Sequence, residues 1–361
     1  MPLSPSKHPC FDSVFPQQGK IQSFQSALIN WFVENGADYP WRETKDPYAI
    51  LVSELMLQQT RITTVLERGY FSRWMSLFPD WKSLATAEES EILKAWEGLG
   101  YYNRARNLQA AARVICSEHG GEMPDEMNSI QALPGVGPYT AGAVCSFAFE
   151  KRAPIVDGNV IRVLARIFSF VELIDTTPAR KLFWEWAERL TPEKHVSAYN
   201  SGIMELGQKV CVKGTPDCSA CPVAEWCLSA GKDAAAKLPR KGTSTKITEK
   251  REDVALVIDR GSILLQKESG SRRRGLWRLP TLVDEQSADS EEWIRFSYAI
   301  TRYKVDLRIF RVSPAVQSAL DKNERTEWHR LGEDLETLPP LGSPYRKAIL
   351  RWIEELSEKL L

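Results

Sequence analysis

The stretch 133-LPGVGPYTAGAV-144 decides how the rest of the chain is read. Gly135 and Gly137 stand two apart, where a tight turn can use backbone conformations closed to other residues. Pro138 follows at a position that opens helices, and small residues continue the helical run. Such a turn points backbone N–H groups outward, and together with the next helix N-terminus they can hold a phosphate. The alternative is a plain interhelical turn, and a lone Gly-x-Gly does not separate the two.

Outward from the hairpin the pattern stays helical. In 23-SFQSALINWFVEN-35 the apolar residues Phe24, Leu28, Trp31 and Phe32 share one face. The segment 47-PYAILVSELMLQQT-60 opens on Pro47, and 89-ESEILKAWEGLG-100 ends on the stop signal of Gly98 and Gly100. Strand-like alternation is scarce from 23 to 229. After Cys227 the chain turns polar and lysine-rich, with Pro239 and Gly242, which is linker composition. Beyond it, 254-VALVIDRGSILLQKE-268 predicts two short strands around a turn at Asp259–Arg260–Gly261. The run 304-KVDLRIFRV-312 alternates as a strand, and 344-PYRKAILRWIEELSEKLL-361 is an amphipathic helix. The expected organisation is an N-terminal lead (1–22), an all-α domain (23–229), a linker (230–252) and a smaller α+β domain (253–361). A length of 361 residues, more than one core usually organises, agrees with this.

A net charge of zero excludes a uniformly basic nucleic-acid binder but not a local basic patch, since 237–251 is mostly basic and 284–292 acidic. No apolar run reaches membrane-span length and the first residues lack a signal-peptide pattern, so a cytoplasmic location is expected. Four of the seven cysteines crowd into Cys211-x6-Cys218-x2-Cys221-x5-Cys227. In a reducing compartment that density predicts metal ligation; spacing alone suits zinc or an iron–sulfur cluster. Cys10, Cys116 and Cys145 have no partner at ligand spacing, and the last two are expected as small buried hydrophobes.

Two carboxylates stand out. Glu54 has Ile50 and Leu51 behind it and Leu57 ahead, a surface that strips water from a carboxylate, raises its pKa and keeps it able to donate a proton. Its plain alternative is a solvated residue on a stripe with Ser53 and Gln58. Asp157, in 153-APIVDGNVIRVLARIF-168, sits where an ordinary helix N-cap belongs. Cleaving an N-glycosidic bond needs an acid for the departing base and an anion for the cationic sugar, and two carboxylates in unlike surroundings can divide those tasks.

The blocks 40-PWRETKDPYAILVSELMLQQT-60, 96-WEGLGYYNRARNL-108, the Gly-Val-Gly hairpin, 156-VDGNVIRVLAR-166, 200-NSGIMELGQKVC-211 and the cysteine cluster together resemble the MutY family of adenine DNA glycosylases. The resemblance implies a helix–hairpin–helix glycosylase domain whose hairpin (Gly135, Val136, Gly137) grips the DNA backbone without reading bases. It implies a [4Fe–4S] cluster on Cys211, Cys218, Cys221 and Cys227. By the same resemblance Glu54 protonates adenine N7, and Asp157 stabilises the oxocarbenium ion or bonds transiently to the sugar, supported by Asn159. Tyr139 occupies the place where related glycosylase/lyases carry a lysine, which implies a monofunctional enzyme. Gln59 and Tyr101 match residues that wedge into the base stack, with Leu99 beside them among the DNA contacts. Arg42 matches a residue lining the adenine pocket. Double-stranded DNA with adenine opposite 8-oxoguanine or guanine is the implied partner, bound by a nucleoid-associated monomer.

The last domain resembles the MutT-like (Nudix-related) domain of that family. It lacks the glutamate-rich metal box, so pyrophosphatase activity is not expected. Where the family carries a Phe-Ser-His loop that recognises 8-oxoguanine, this chain has Ile300-Thr301-Arg302. Thr301 keeps a hydroxyl and Arg302 offers charged donors, so weaker discrimination between 8-oxoguanine:adenine and guanine:adenine is expected. Arg272, Arg273 and Arg274 read either as a phosphate-facing loop or as a solvated turn. The competing readings are an endonuclease III-like glycosylase/lyase and a non-enzymatic lesion-binding protein.

Overall fold

The computed structural model describes residues 11–243, 246–270, 273–300, 302–332 and 335–360, with side chains through residue 355. By contact the chain forms two compact units, Met1–Gln58 with Val114–Ser244, and Gln59–Arg113 with Thr245–Leu361. The division differs from the expected domain boundaries, because residues 59–113 group with the C-terminal part of the chain.

The first unit is built of helices. Helix Pro47–Leu57 is started by Pro47 and capped by Asp46, whose side chain accepts the Tyr48 N–H at 2.9 Å. Every residue from Tyr48 to Met56 is buried, so the helix is central rather than amphipathic. It packs on helix Pro138–Phe149. A Cβ at Gly142 of the latter would stand 2.3 Å from the Pro154 carbonyl oxygen, so glycine allows the chain leading to Asp157 to cross there. Helix Gly158–Ile167 then packs on helix Val196–Lys209, which in turn packs on helix Gln18–Asn35. The core joins Phe24, Leu28, Phe168, Phe183 and Trp186.

The described part of the N-terminal lead enters the core. Phe11, Val14, Phe15 and Ile21 are buried, and the Phe11 and Phe15 rings lie 5.6 and 6.0 Å from Phe168. Aromatics inside a polar, proline-rich lead find their partner more than 150 residues away, which local composition does not display.

The second unit carries short helices, among them Tyr70–Leu77 and Glu89–Ala95, closed by Trp74 edge-on to Phe78 and Trp96. Strands β1 (Thr248–Ala255), β2 (Ile258–Asp259), β3 (Ser262–Lys267), β4 (Trp277–Arg278), β5 (Glu291–Ile300), β6 (Tyr303–Arg311) and β7 (Thr326–Arg330) follow, with helix Ser343–Leu360. One sheet has the order β1-β6-β5, with β1 parallel to β6; the other has the order β2-β3-β4, with β7 also on β3. The β2–β3 turn puts Arg260 and Gly261 at φ 45° and 74°, the left-handed pair of a two-residue hairpin. Thr248–Glu252, read as linker from their charge, form the first half of β1. There they form a sheet edge whose backbone pairs with Tyr303–Leu307. Thr248–Arg251 are exposed, while the Glu252 carboxylate accepts the Tyr298 and Tyr345 hydroxyls at 2.7 and 2.6 Å. Arg272 lies outside the described residues. Arg273 turns inward to Glu268 (2.9 Å) and the Tyr298 hydroxyl (3.4 Å), and Arg274 is exposed.

Within this unit the buried Glu97 accepts the Leu341 N–H at 2.7 Å and Arg346 Nη1 at 3.1 Å, while the Tyr102 hydroxyl donates to the Leu341 carbonyl at 3.0 Å. The 59–113 helices thus hold the segment that leads into the last helix. Glu97→Ala would strand a buried N–H and a partly buried guanidinium, and is expected to cost about 2 kcal/mol, read as a lower urea midpoint. An unchanged midpoint would show that water replaces the carboxylate.

Candidate active site

Helix Pro47–Leu57 carries Glu54 into the interior of the first unit, where it is 6% exposed. Burial pushes its pKa up to about 7; a hydrogen bond from the Tyr139 hydroxyl and the charge of Arg42 pull it down, and the nearby Asp157 pushes it further up. Tyr139 enters from the first turn of helix Pro138–Phe149, its phenol held well above the usual range by burial and by the two carboxylates, and its hydroxyl lies 3.3 Å from Met204 Sδ.

Asp157 caps helix Gly158–Ile167. Its Oδ1 accepts the Asn159 and Val160 N–H groups at 2.9 and 2.7 Å, and its Oδ2 accepts Asn159 Nδ2 at 2.8 Å. Burial raises its pKa, but these donors and Arg162 oppose the rise. The surroundings therefore separate the pair: Asp157 has three hydrogen bonds that favour its anion, and Glu54 has one. Asn159 is held in turn by Arg162 Nη2 at 2.8 Å, and Arg162 also donates to the Gly207 and Cys211 carbonyls at 2.5 and 2.7 Å.

Arg42 extends from the turn Pro40–Arg42 between the Phe32 and Tyr39 rings and pairs with the buried Glu205 at 2.6 Å. Burial alone would raise the Glu205 pKa, yet Lys209, Arg42 and the Ala37 N–H outweigh it and hold the carboxylate ionised. Glu205 and Met204 meet Arg42 and Tyr139 far along the chain, with the block 200–211 as their one signal in the sequence. Arg162, inside the block 156–166, holds Asn159 locally but reaches Gly207 and Cys211 only through the fold. A Cβ at Gly207 would come within 2.7 Å of Asn159 Cβ and 3.2 Å of its backbone. Gly207→Ala is expected to cost about 1–3 kcal/mol and to slow the reaction further by shifting Asn159 off Asp157. Urea unfolding beside single-turnover rates tests this, and wild-type values for both would mean the helices part freely.

The hairpin has Gly135 at φ +76°, exposed, with Val136 tucked inward and Gly137 as N-cap of the next helix. In the second unit Gln59 (φ 58°) and Tyr101 (φ 46°) are both exposed and both left-handed, while Leu99 is buried. Arg302, exposed after the β5 end, donates to the Tyr303 hydroxyl at 3.0 Å; Thr301 lies outside the described residues.

Cys211, Cys218, Cys221 and Cys227 are free, half-buried thiols. Burial pushes the Cys221 and Cys227 thiols up, and the neighbouring cysteines push further, so holding them as thiolates requires added positive charge. The buried Arg166 supplies part of it, with Nη1 at 3.3 Å from Cys211 Sγ and further bonds to the Val212 and Gly214 carbonyls. Among the described residues no three ligand-type side chains gather tightly enough for a single ion. Four thiols that feel one another's charge are a donor set that suits zinc or an iron–sulfur cluster.

An adenine DNA glycosylase from Buchnera aphidicola subsp. Acyrthosiphon pisum (strain APS) is 33% identical over 247 residues, 68% of this chain and 70% of that protein. The chain belongs to the adenine DNA glycosylase family. The model of the HhH-GPD superfamily of base excision DNA repair proteins matches residues 52–189, which takes in Glu54, Tyr139 and Asp157 but neither Arg42 nor the four cysteines from Cys211 to Cys227. The mouse adenine DNA glycosylase is 40% identical over 223 residues, 59% of this chain; the alignment spans 43% of the mouse protein, less than half its length. A solved thermostable thymine-DNA glycosylase is 32% identical, with a TM-score of 0.54 over 59% of this chain and 97% of its own. The chain therefore has the helical fold of the superfamily, with a smaller α+β part after it. Among the described residues no helix is long and apolar enough to cross a membrane.

Proposed function

We propose that the protein is a monofunctional glycosylase that removes adenine from double-stranded DNA where it is mispaired with 8-oxoguanine or guanine. The observation that carries this is the buried Glu54, whose pKa burial raises to about 7, beside an Asp157 furnished with hydrogen-bond donors. Glu54 gives its proton to adenine N7, the C1′–N9 bond breaks with its electron pair leaving on the base, and the sugar becomes cationic. Asp157 faces that cation or closes on C1′, oriented by Asn159. Water then adds at C1′ and returns a proton to Glu54. Tyr139 positions the acid and offers no amine for a Schiff base. Arg42, fixed by Glu205, borders the pocket.

The hairpin Gly135–Gly137 holds the phosphate backbone, Gln59 and Tyr101 with the supporting Leu99 replace the extruded base, and Thr301 with Arg302 face the base opposite. Cys211, Cys218, Cys221 and Cys227 would hold a [4Fe–4S] cluster, which when bound cross-links the loop they lie on. The protein acts as a monomer, in the cytoplasm at the nucleoid.

Single-turnover excision from duplexes differing only in the base opposite adenine tests the reading. Cleavage opposite 8-oxoguanine and guanine at similar rates, with no adduct on borohydride treatment, is expected. A trapped adduct would make it a lyase of the endonuclease III kind, binding without cleavage a lesion-binding protein, and a strong preference for the oxidised pair would remove the role given to Arg302.

A further inference from the structure

Gln59 and Tyr101 lie on different loops, yet both hold an exposed side chain on a left-handed backbone that only glycine adopts without cost. The loop before Tyr101 is itself tightly wound. Gly98 at φ 98° sits where a Cβ would overlap the Tyr70 hydroxyl, and the Trp96 indole donates to the Gly100 carbonyl at 3.1 Å. One side chain reaches both loops. Arg104, in the first turn of helix Asn103–Glu118 and 7% exposed, directs Nη2 to the Leu99 and Gly100 carbonyls at 3.0 and 3.1 Å and to Thr60 Oγ1 at 3.3 Å. Its guanidinium also stands over the Trp96 and Tyr101 rings, at 5.3 and 5.7 Å. Burial lowers its pKa only to about 10, so it stays cationic at neutral pH.

We propose that Arg104 is the positioning residue of a two-pronged wedge, fixing Gln59 and Tyr101 at a set spacing so that they enter the duplex together as the base leaves it. A buried cation is costly to retain and a simple apolar core does not need one. Here its donors go to the residues next to the two strained, exposed positions. All three bonds leave from the one nitrogen Nη2, while the planar guanidinium lies over the Trp96 and Tyr101 rings, a stacking that a lysine ammonium does not reproduce.

The inference rests on the proposed wedge role of Gln59 and Tyr101, and the test separates the two. Base extrusion is followed by 2-aminopurine fluorescence in a duplex, alongside melting temperature and affinity for undamaged duplex. Arg104→Met is expected to lower the extrusion signal and the single-turnover rate at least tenfold, with undamaged-duplex affinity within about twofold. Arg104→Lys, the variant safer for folding, should lose several-fold and keep its melting temperature. In the Gln59→Ala/Tyr101→Ala background either change should add nothing, because a residue acting only through the prongs has nothing left to position. If the prong variants lower extrusion but the Arg104 losses multiply with theirs, Arg104 is merely structural and the proposal falls. If the prong variants leave extrusion unchanged, the wedge reading itself fails and takes the proposal with it.

Discussion

Glu54→Gln is expected to slow single-turnover adenine excision by roughly 10³-fold while duplex binding persists. Glutamine keeps the shape and can still accept the Tyr139 hydrogen bond, but it has no proton to give. The pH dependence follows from the raised pKa. The carboxyl must be protonated to act, so the wild-type rate, which falls at low pH as Asp157 takes up a proton, should also fall close to tenfold per unit above pH about 7. The glutamine variant should lose that inflection. A 10³-fold loss with the inflection still in place would assign the acid to another group.

The same burial has a cost in stability whose sign can be checked. The folded-state pKa lies above the ordinary 4.5, so the protonated form is favoured by folding. Below pH 4.5 both folded and unfolded states carry the proton and the full stability is present; it is lost as pH rises toward about 7. The difference corresponds to roughly 3 kcal/mol at pH 8. Glu54→Gln should therefore raise the urea midpoint at pH 8 and change it little at pH 4. A catalytic acid that weakens its own fold is the expected signature of a residue kept for chemistry.

What the sequence displays is what lies close along the chain. The central helix, the hairpin and both carboxylates are legible because Pro47, Gly135, Gly137 and the Asp-Gly-Asn turn mark them locally. The Glu54 pKa shift is legible in direction from its apolar neighbours. The brace behind the site is not. Arg42 and Glu205 are separated by 163 positions, and only the folded chain shows that the ion pair exists. Nor does periodicity reveal that Gly207 must be small because Asn159 crosses it, or that Phe11 belongs to the core of Phe168. The grouping of 59–113 with the C-terminal chain depends on Glu97 and Tyr102 meeting Leu341, a pairing that composition cannot suggest. Tertiary partners, unlike caps and turns, leave no local mark.

Asp157 has two roles that a substitution can separate, and that makes it the sharper test of the anion. As an N-cap it needs only an acceptor for the Asn159 and Val160 N–H groups. Serine and asparagine supply one about as well as aspartate does. As the counter-charge to a sugar cation it needs ionisation, which neither can provide. Asp157→Ser should fold with a helix cap intact, and Asp157→Asn should fold with a small penalty, because its amide would set a donor against Asn159 Nδ2, which now donates to Oδ2 at 2.8 Å. Asn159 cannot turn over freely to relieve this, since its Oδ1 is held by Arg162. The two variants should therefore differ in melting temperature yet share a loss of excision on the order of 10³-fold or more, as expected when preorganised charge at a reacting centre is removed. If instead the rates followed the melting temperatures, with Asp157→Ser excising adenine within tenfold of wild type, Asp157 would be a helix cap alone and the stabilising anion would have to be sought elsewhere.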